Sequence, residues 1–179
     1  VKGLIAVSDS ARDESPNLIK NLKAIGIKPI ILSGDSEASV KRVAKILDIK
    51  EFHAGLLPQD KVNKLSELTA EYKHTSMVGD GVNDAPALAS ASVGIALGAV
   101  GSDTAIETAD IVIMNDKISL IEHLTKLGRK CVQKIKFNVS LSIISKALFL
   151  VTAIIGLSSL ALAIFADVGV TTLVIINGL

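Results

Sequence analysis

Residues 76–88 read Ser-Met-Val-Gly-Asp-Gly-Val-Asn-Asp-Ala-Pro-Ala-Leu, and the fold can be inferred from this stretch. Residues 74–78 lead into it with the apolar character of a short buried strand. Gly79 and Gly81 follow, where the backbone must turn tightly or pass close to a ligand. A strand that ends in such a turn and continues into a helix is typical of α/β proteins.

Asp80 and Asp84 place two carboxylates on this turn, four residues apart. Carboxylate oxygens are ligands that suit Mg²⁺, and the Asn83 amide adds a further oxygen. Pro86 fits the first turn of a following helix. An acidic, glycine-rich turn also occurs in α/β proteins without a metal, but the whole run is much more specific than Gly-Asp-Gly alone.

The composition limits the class of protein. The 179 residues are 49% hydrophobic and 3% aromatic, with a net charge of +1, so no basic field favours nucleic acid as a partner. Cys131 is the single cysteine, which excludes an intrachain disulfide and suits a reducing cytoplasm. The sequence starts at Val1 without an initiator Met, and we expect it to be part of a longer protein.

Short apolar segments alternate with amphipathic ones along the first two thirds of the chain. Residue spacing predicts strands over 2–7, 28–32, 74–78, 93–97 and 110–114, and helices over 14–25, 36–49 and 58–72. Such alternation predicts a Rossmann-like α/β fold, a parallel sheet with helices on both faces. In such sheets ligands bind at the carboxyl ends of the strands.

Polar residues gather at that predicted edge. They are Ser33, Gly34 and Asp35 after one strand, Lys61 near the start of a helix, and Asp80 with Asp84. A hydroxyl, backbone N–H groups, an ammonium and a Mg²⁺ site are what a transferring phosphoryl group needs. Each feature also has an ordinary explanation, because Ser-Gly is common in turns and a helix lysine is usually solvated.

The run Gly79–Pro86 resembles the hinge and Mg²⁺ motif of P-type ATPases, the cation pumps built on a haloacid dehalogenase-like core. In that family a Thr-Gly-Asp triplet, a Pro-x-x-Lys segment and this run follow one another, and Ser33–Asp35 and Pro58–Lys61 match the first two. The resemblance implies that Ser33 and Gly34 bind phosphate and that Lys61 neutralises an aspartyl phosphate.

The resemblance also implies the cofactors. Asp80 would hold Mg²⁺, with Asp84 supporting the metal site, and Asn83 and Gly81 would contact the cofactors. Asp35 would lie near the nucleotide or the domain hinge, with ATP bound mainly by parts of the protein outside this chain.

One part of the family pattern is absent from the sequence. No Asp-Lys-Thr-Gly-Thr run, which carries the phosphorylated aspartate, occurs here, and Asp103-Thr104-Ala105 does not match it. Asp9 and Arg12 match the hinge segment Asp-Pro-Pro-Arg loosely, since Ser10 and Ala11 replace both prolines. We therefore expect residues 1–116 to be the second half of a phosphorylation domain that does not hydrolyse ATP alone.

The last third of the sequence is typical of a membrane protein. Residues 117–136 predict an amphipathic helix whose cations precede the apolar run, as in the positive-inside rule: Lys126, Arg129, Lys130, Lys134 and Lys136. Residues 137–157 and 160–179 are each apolar enough to span a bilayer, with a turn at 156–159. The alternative is a hairpin buried in a soluble core.

Lys146 and Asp167 interrupt these two apolar segments. A charge near the bilayer centre costs about 2.5–3.5 kcal/mol on insertion scales, so it needs a partner or a task. At 1.5 Å per residue from the turn, the two lie about one helical turn apart in depth, within reach of an extended lysine. Asp167 either ligates a transported cation, with Lys146 as its counter-charge, or forms a static salt bridge.

Phe165–Gly169, together with Lys146, is similar to the last membrane helices of zinc/cadmium/lead P-type ATPases. Asn138 and Ser158–Ser159 do not reproduce the residue patterns of the copper class convincingly. Cu⁺ or Co²⁺ is therefore the alternative cargo and not the first choice. Cys131 and the three histidines show no ligand spacing.

The sequence thus predicts part of an ATP-driven exporter of Zn²⁺, Cd²⁺ or Pb²⁺ that works through an aspartyl phosphate. We expect a multi-pass protein of the cell membrane with its phosphorylation domain in the cytoplasm. Its partners would be the metal ion, the lipid bilayer and the other domains of the pump, without nucleic acid. The alternatives are a soluble or membrane-anchored phosphatase of the same superfamily and a membrane remnant without catalysis.

Overall fold

The computed structural model describes residues 11–80, 83–98, 103–115, 117–157 and 159–178. The chain forms two compact units, residues 1–122 and 123–179. The predicted strand over 2–7 and the predicted hinge residue Asp9 lie outside the described residues.

The first unit alternates helices and strands in the order α1 Ser15–Ala24, β1 Ile30–Leu32, α2 Glu37–Ile46, β2 Glu51–His53, α3 Pro58–Tyr72, β3 Ser76–Gly79, α4 Ala85–Ser90, β4 Val93–Leu97, α5 Asp103–Thr108 and β5 Ile111–Ile113. Strands β1 and β2 pair in parallel, and β3, β4 and β5 form a parallel sheet in that order. The predicted parallel α/β fold is confirmed.

Two of these elements are not in the sequence-based prediction. Strand β2 has a single apolar residue, Phe52, and so lacks the apolar run that marked the other strands. Its register is set by pairing with β1, where Ile30 lies opposite Glu51. Helix α5 has only six residues, too few to show a helical period.

Local sequence explains where the helices begin and end. Ser36 caps α2, because its side chain accepts a hydrogen bond from the Ser39 N–H. Helix α2 ends at Ile46, earlier than predicted, and Asp48 then turns the chain with a positive φ of 52°. Helix α3 has the predicted bounds, with a proline in its first turn.

A buried apolar cluster holds the first unit together near the end of β3 and the start of α4. It consists of Leu65, Met77, Ala87, Leu88 and Ala96, with Leu32 packed against it. Helix α4 approaches β4 so closely that a Cβ atom at Gly94 would lie 2.6 Å from the Leu88 carbonyl oxygen. The Gly94 N–H donates to the Asp110 carboxylate at 2.8 Å, which fixes β4 beside β5.

Charged side chains link the segment that precedes β1 to strand β2. The Lys28 ammonium lies 2.5 Å from the Glu51 carboxylate and 2.6 Å from the Tyr72 hydroxyl. The hydrogen bond from Lys28 lowers the pKa of Glu51, and the same bond, together with that to Tyr72, raises the pKa of Lys28. Both groups therefore stay charged at neutral pH.

The second unit contains most of helix α6, Leu120–Ile154, and all of helix α7, Leu160–Gly178. Among the described residues, α6 is the one helix long and apolar enough to cross a membrane, and Ile164–Gly178 is a shorter apolar stretch. Helix α6 runs without a break through residue 136, where the predicted basic helix and the predicted first span meet. At its end, Gly156 has a φ of 74°, and the Leu157 N–H donates to the Thr152 carbonyl, so the chain turns where expected.

Replacing Gly94 by alanine should lower the free energy of unfolding by about 1–3 kcal/mol, since backbone atoms of α4 would have to move. Gly128→Ala is the control, because a Cβ atom there meets nothing within 4 Å and alanine favours a helix interior. Thermal unfolding in detergent, followed by circular dichroism, measures both variants. Equal melting temperatures for the two would contradict the close approach of α4 and β4.

Candidate functional site

Lys61 and Asp84 form an ion pair where helices α3 and α4 begin. The Lys61 Nζ lies 2.6 Å from Asp84 Oδ1, and each side chain is only 16% exposed. Lys61 occupies the first turn of α3, which follows β2, and Asp84 directly precedes α4, which follows β3. The sequence placed both residues at the carboxyl edge of the strands but did not predict that they pair.

Gly79 explains how the Asp84 carboxylate reaches this position. A Cβ atom at residue 79 would lie 2.7 Å from Asp84 Oδ2 and 2.8 Å from Asp84 Cβ. The side chain of Asp84 therefore packs directly over the bare backbone at the end of β3. Glycine is required here by this close approach and not by a turn.

Asp80 and Asn83 are exposed beside this pair, whereas the predicted contact residue Gly81 lies outside the described residues. Among those residues, no group of three or more His, Cys, Asp or Glu side chains is arranged to hold a metal. Mg²⁺ is commonly bound by one or two carboxylates, with water and phosphate as the other ligands, and these residues fit such a site. The Asp84 Oδ1 atom already faces the Lys61 ammonium.

Ser33, Gly34 and Asp35 form the loop after β1. The Ser33 hydroxyl donates to the Asp35 carboxylate at 2.8 Å and accepts from the Asp35 N–H at 3.1 Å. Asp35 thus holds the Ser33 side chain in place. A Cβ atom at Gly34 would lie 3.2 Å from the Leu56 carbonyl oxygen, so a larger residue would press on the neighbouring loop.

Backbone hydrogen bonds tie this loop to the segment that precedes α3. The Leu56 N–H donates to the Ser33 carbonyl, and the Gly55 N–H donates to the Asp35 carbonyl. These hydrogen bonds therefore link the loop at the end of β1 to the segment that leads into α3, the helix that carries Lys61. The three predicted groups (the Ser33 loop, Lys61 and Asp80) follow β1, β2 and β3, at the carboxyl end of each strand.

In the second unit, the Lys146 Nζ lies 3.5 Å from Asp167 Oδ1. The predicted proximity of these two residues is thus observed. The Asp167 Oδ1 atom is buried within the described part of the chain and receives no hydrogen bond there. The contact is an ion pair without a short hydrogen bond, and the carboxylate keeps capacity for a further ligand.

Asn138 and Asn177 are polar residues of the second unit to which sequence reasoning gave no role. The Asn177 side-chain amide donates to the Asn138 amide oxygen at 2.6 Å. Their presence within apolar segments is the signal that could have identified them, because unpaired amides are costly in an apolar medium.

Comparison with known proteins gives consistent matches. The model of the haloacid dehalogenase-like hydrolase family matches residues 1–92. A probable cadmium-transporting ATPase of Listeria monocytogenes is 44% identical over 177 residues, which cover 98% of this chain and 25% of that protein. A zinc/cadmium/lead-transporting P-type ATPase of Escherichia coli (strain K12) is 40% identical over 179 residues, which cover 100% of this chain and 24% of that protein.

A solved structure agrees with these matches. A zinc-transporting PIB-type ATPase in its E2.Pi state superposes with a TM-score of 0.88 at 38% identity, over 96% of this chain and 28% of that one. The chain spans about a quarter of the length of the curated relatives it matches. The resemblance inferred from residues 79–86 is confirmed.

Asp84→Ala should lower the free energy of unfolding by about 2–3 kcal/mol, because it leaves the largely buried Lys61 ammonium unpaired. The matched control is Glu67→Ala, which breaks the exposed Lys64–Glu67 pair on the same helix and should cost less than about 1 kcal/mol. Urea denaturation of both variants in detergent checks this difference. A cost for Asp84→Ala no larger than that of the control would mean that the buried pair adds little stability.

Proposed function

Because the chain belongs to the haloacid dehalogenase-like hydrolase family and is similar over its length to heavy-metal P-type ATPases, we propose that it is part of an ATP-driven exporter of divalent heavy-metal cations. One observation carries the proposal: the same chain holds an ammonium and carboxylates at the carboxyl edge of a parallel fold and a Lys–Asp pair between apolar helices. Zn²⁺, Cd²⁺ or Pb²⁺ is the proposed cargo, and Cu⁺ or Co²⁺ is the alternative.

In this proposal the first unit handles the phosphoryl group. Lys61 offsets negative charge on an aspartyl phosphate whose aspartate lies outside this chain. Asp84 holds the Lys61 ammonium in position before the phosphate arrives. The backbone N–H groups around Gly34 donate hydrogen bonds to phosphate oxygens. The Ser33 hydroxyl also donates to phosphate, and in doing so gives up its hydrogen bond to the Asp35 carboxylate.

Asp80 is the proposed direct ligand of Mg²⁺, with the Asn83 amide beside it and Asp84 as a supporting carboxylate. When bound, the metal supplies positive charge that offsets the charge of the phosphoryl oxygens. Asp35 positions Ser33 through their mutual hydrogen bonds. A cofactor contact at Gly81 stays a prediction, and ATP is bound mainly by other parts of the pump.

In the second unit, Asp167 is the proposed ligand of the transported cation. When no cation is bound, the Lys146 ammonium lies beside the Asp167 carboxylate and offsets its charge. An isolated negative charge is therefore never left among apolar side chains. A divalent cation that displaces the ammonium satisfies the same carboxylate. Release of the cation is then favoured by return of the ammonium.

The proposal includes a membrane topology. Residues 137–157 and 160–179 span the bilayer of the cell membrane, and residues 1–116 belong to a cytoplasmic phosphorylation domain. The basic residues that precede position 137 lie on the cytoplasmic side in this arrangement. Many apolar side chains of α6 and α7 are exposed in this chain, among them Ile144, Leu148 and Phe165. Lipid and the other helices of the pump would cover them.

Lys61→Ala in the full-length pump should lower metal-stimulated ATP turnover by orders of magnitude, since the phosphoryl charge loses its neutralising partner. Lys61→Arg should restore turnover only partly, because a planar guanidinium replaces a compact ammonium. The matched control is Lys64→Ala on the same helix, which breaks the exposed pair with Glu67 and should leave turnover unchanged. Normal turnover in Lys61→Ala would contradict a role of Lys61 at the phosphoryl group and would leave it only as the structural partner of Asp84.

Asp80→Asn should abolish Mg²⁺-dependent phosphoenzyme formation while leaving ATP binding largely intact, because the amide replaces a charged metal ligand. Labelling with radioactive ATP at varied Mg²⁺ measures the phosphoenzyme, and equilibrium dialysis measures nucleotide binding. An amount of phosphoenzyme equal to that of the wild type at every Mg²⁺ concentration would contradict the assignment of Asp80 as a ligand of the metal.

Asp167→Ala should eliminate metal-stimulated ATPase activity and weaken metal binding in folded protein, whereas Asp167→Glu should keep part of the binding. Lys146→Ala should allow binding but slow release, because the returning ammonium is absent. A static salt bridge predicts a different outcome: the double variant Lys146→Met with Asp167→Leu regains stability and still transports metal. Metal binding, thermal stability and vesicle uptake distinguish the two.

A further inference from the structure

The two helices of the second unit face each other through half-buried positions at helical spacing. On α6 these positions are Asn138, Ser142, Ser145, Phe149 and Thr152, and on α7 they include Ala166, Asp167, Val170 and Val174. Steps of three and four residues place them on one side of each helix, as in packed helix pairs. Several members of this face are polar, although both helices are largely apolar beyond residue 136.

Asn138 bonds to α7 at two points near its end. Its amide oxygen accepts from the Asn177 amide at 2.6 Å, and its own amide donates to the Val174 carbonyl at 3.3 Å. The backbone of α7 also approaches closely here, since a Cβ atom at Gly178 would lie 3.8 Å from Asn138 Nδ2. These contacts join α6 and α7 at the end opposite the turn at Gly156.

The ion pair lies between this contact and the turn. Lys146 follows Asn138 by eight residues on α6, about 12 Å, and Asp167 precedes Asn177 by ten residues on α7, about 15 Å. Lysine is long and flexible, so an ammonium–carboxylate contact tolerates small shifts of one helix along the other but does not by itself prevent a slip of a whole turn, which would break it. An amide–amide hydrogen bond of 2.6 Å tolerates only smaller shifts.

We propose that Asn138 and Asn177 are positioning residues whose hydrogen bond fixes the register of α6 against α7 and so keeps the Lys146 ammonium at Asp167. A slip of one helical turn moves the helices by about 5.4 Å, more than the 3.5 Å that separates Nζ from Oδ1. The slip also leaves amides without partners in an apolar medium, which penalises the wrong register. The inference rests on the proposed transport role of Asp167 for its functional meaning but not for its test.

The test follows the state of Asp167 in the metal-free full-length protein. Dicyclohexylcarbodiimide modifies carboxyl groups in apolar surroundings, and an ion pair with an ammonium protects a carboxylate from the reagent. Mass spectrometry of the peptide that contains Asp167 measures the modified fraction, with Asp110 of the first unit as the internal reference. Lys146→Ala sets the value for an unprotected carboxylate, which should be several-fold above wild type.

Asn138→Ala and Asn177→Ala should each raise the modification of Asp167 several-fold toward that value. The double variant should add little to Asn138→Ala, because that change already removes the hydrogen bond from Asn177. Ser145→Ala and Thr172→Ala are the matched controls, one on each helix, since their hydroxyls donate to carbonyls of their own helices. Both controls should stay at the wild-type level.

Wild-type modification in both asparagine variants would overturn the inference, and so would the absence of any increase in Lys146→Ala. If an alanine variant does not fold, as judged by gel filtration, the serine variants of the same positions replace it, because their shorter side chains also break the bond. Failure of the proposed function gives a different result: metal binding would survive Asp167→Ala, while the modification pattern would still report the register.

Discussion

The ion pair between Lys61 and Asp84 is the interaction on which the candidate phosphoryl site depends. It joins the start of α3 to the start of α4, across 23 residues of sequence, with both side chains only 16% exposed. Charges removed from water to this extent are stable only when they are paired. The pairing in turn requires a bare backbone at Gly79, because any side chain there would displace the Asp84 carboxylate.

The same requirement extends into the core. Helix α4 carries the buried Ala87 and Leu88 and lies against Gly94 of β4, so its start cannot shift without disturbing the sheet. A carboxylate at the N-terminal end of α4 is thereby held by packing on one side and by an ammonium on the other. The polar edge is rigid because the apolar cluster beneath it is rigid.

The second unit also contains a lysine–aspartate ion pair, which lies on two largely apolar helices. Asp167 and Lys146 offset each other's charge, yet their 3.5 Å contact is looser than the 2.6 Å contact in the first unit. A loose pair suits the proposed exchange of the ammonium for a transported cation at Asp167. Tighter neutral contacts, such as that between Asn138 and Asn177, then maintain the helix packing.

Much of this arrangement could be predicted from sequence, for identifiable reasons. Helix α3 and strand β4 follow from apolar spacing and from the proline at the start of the helix, and both have the predicted bounds. Strand β2 could not be predicted, because its pairing with β1 and not its own composition makes it a strand.

The site residues show the same division. Position along the chain placed Lys61 and Asp84 at one edge, but their pairing depends on how α3 and α4 pack. The contact between Lys146 and Asp167 was predictable because a helical rise and a turn near Gly156 determine it. Asn177 was overlooked because a neutral amide in an apolar run is a weaker signal than the charges of Lys146 and Asp167.

Helix α6 has a mechanical consequence because it is continuous over 35 residues, about 52 Å. Lys146 lies about 39 Å from its first residue, so a tilt of about 5° at that end displaces the lysine backbone by about 3 Å. That displacement is comparable to the whole separation of Nζ and Oδ1. An unbroken helix thus acts as a lever arm, and a small rotation at one end is enough to move the Lys146 ammonium away from Asp167 unless α7 moves with it.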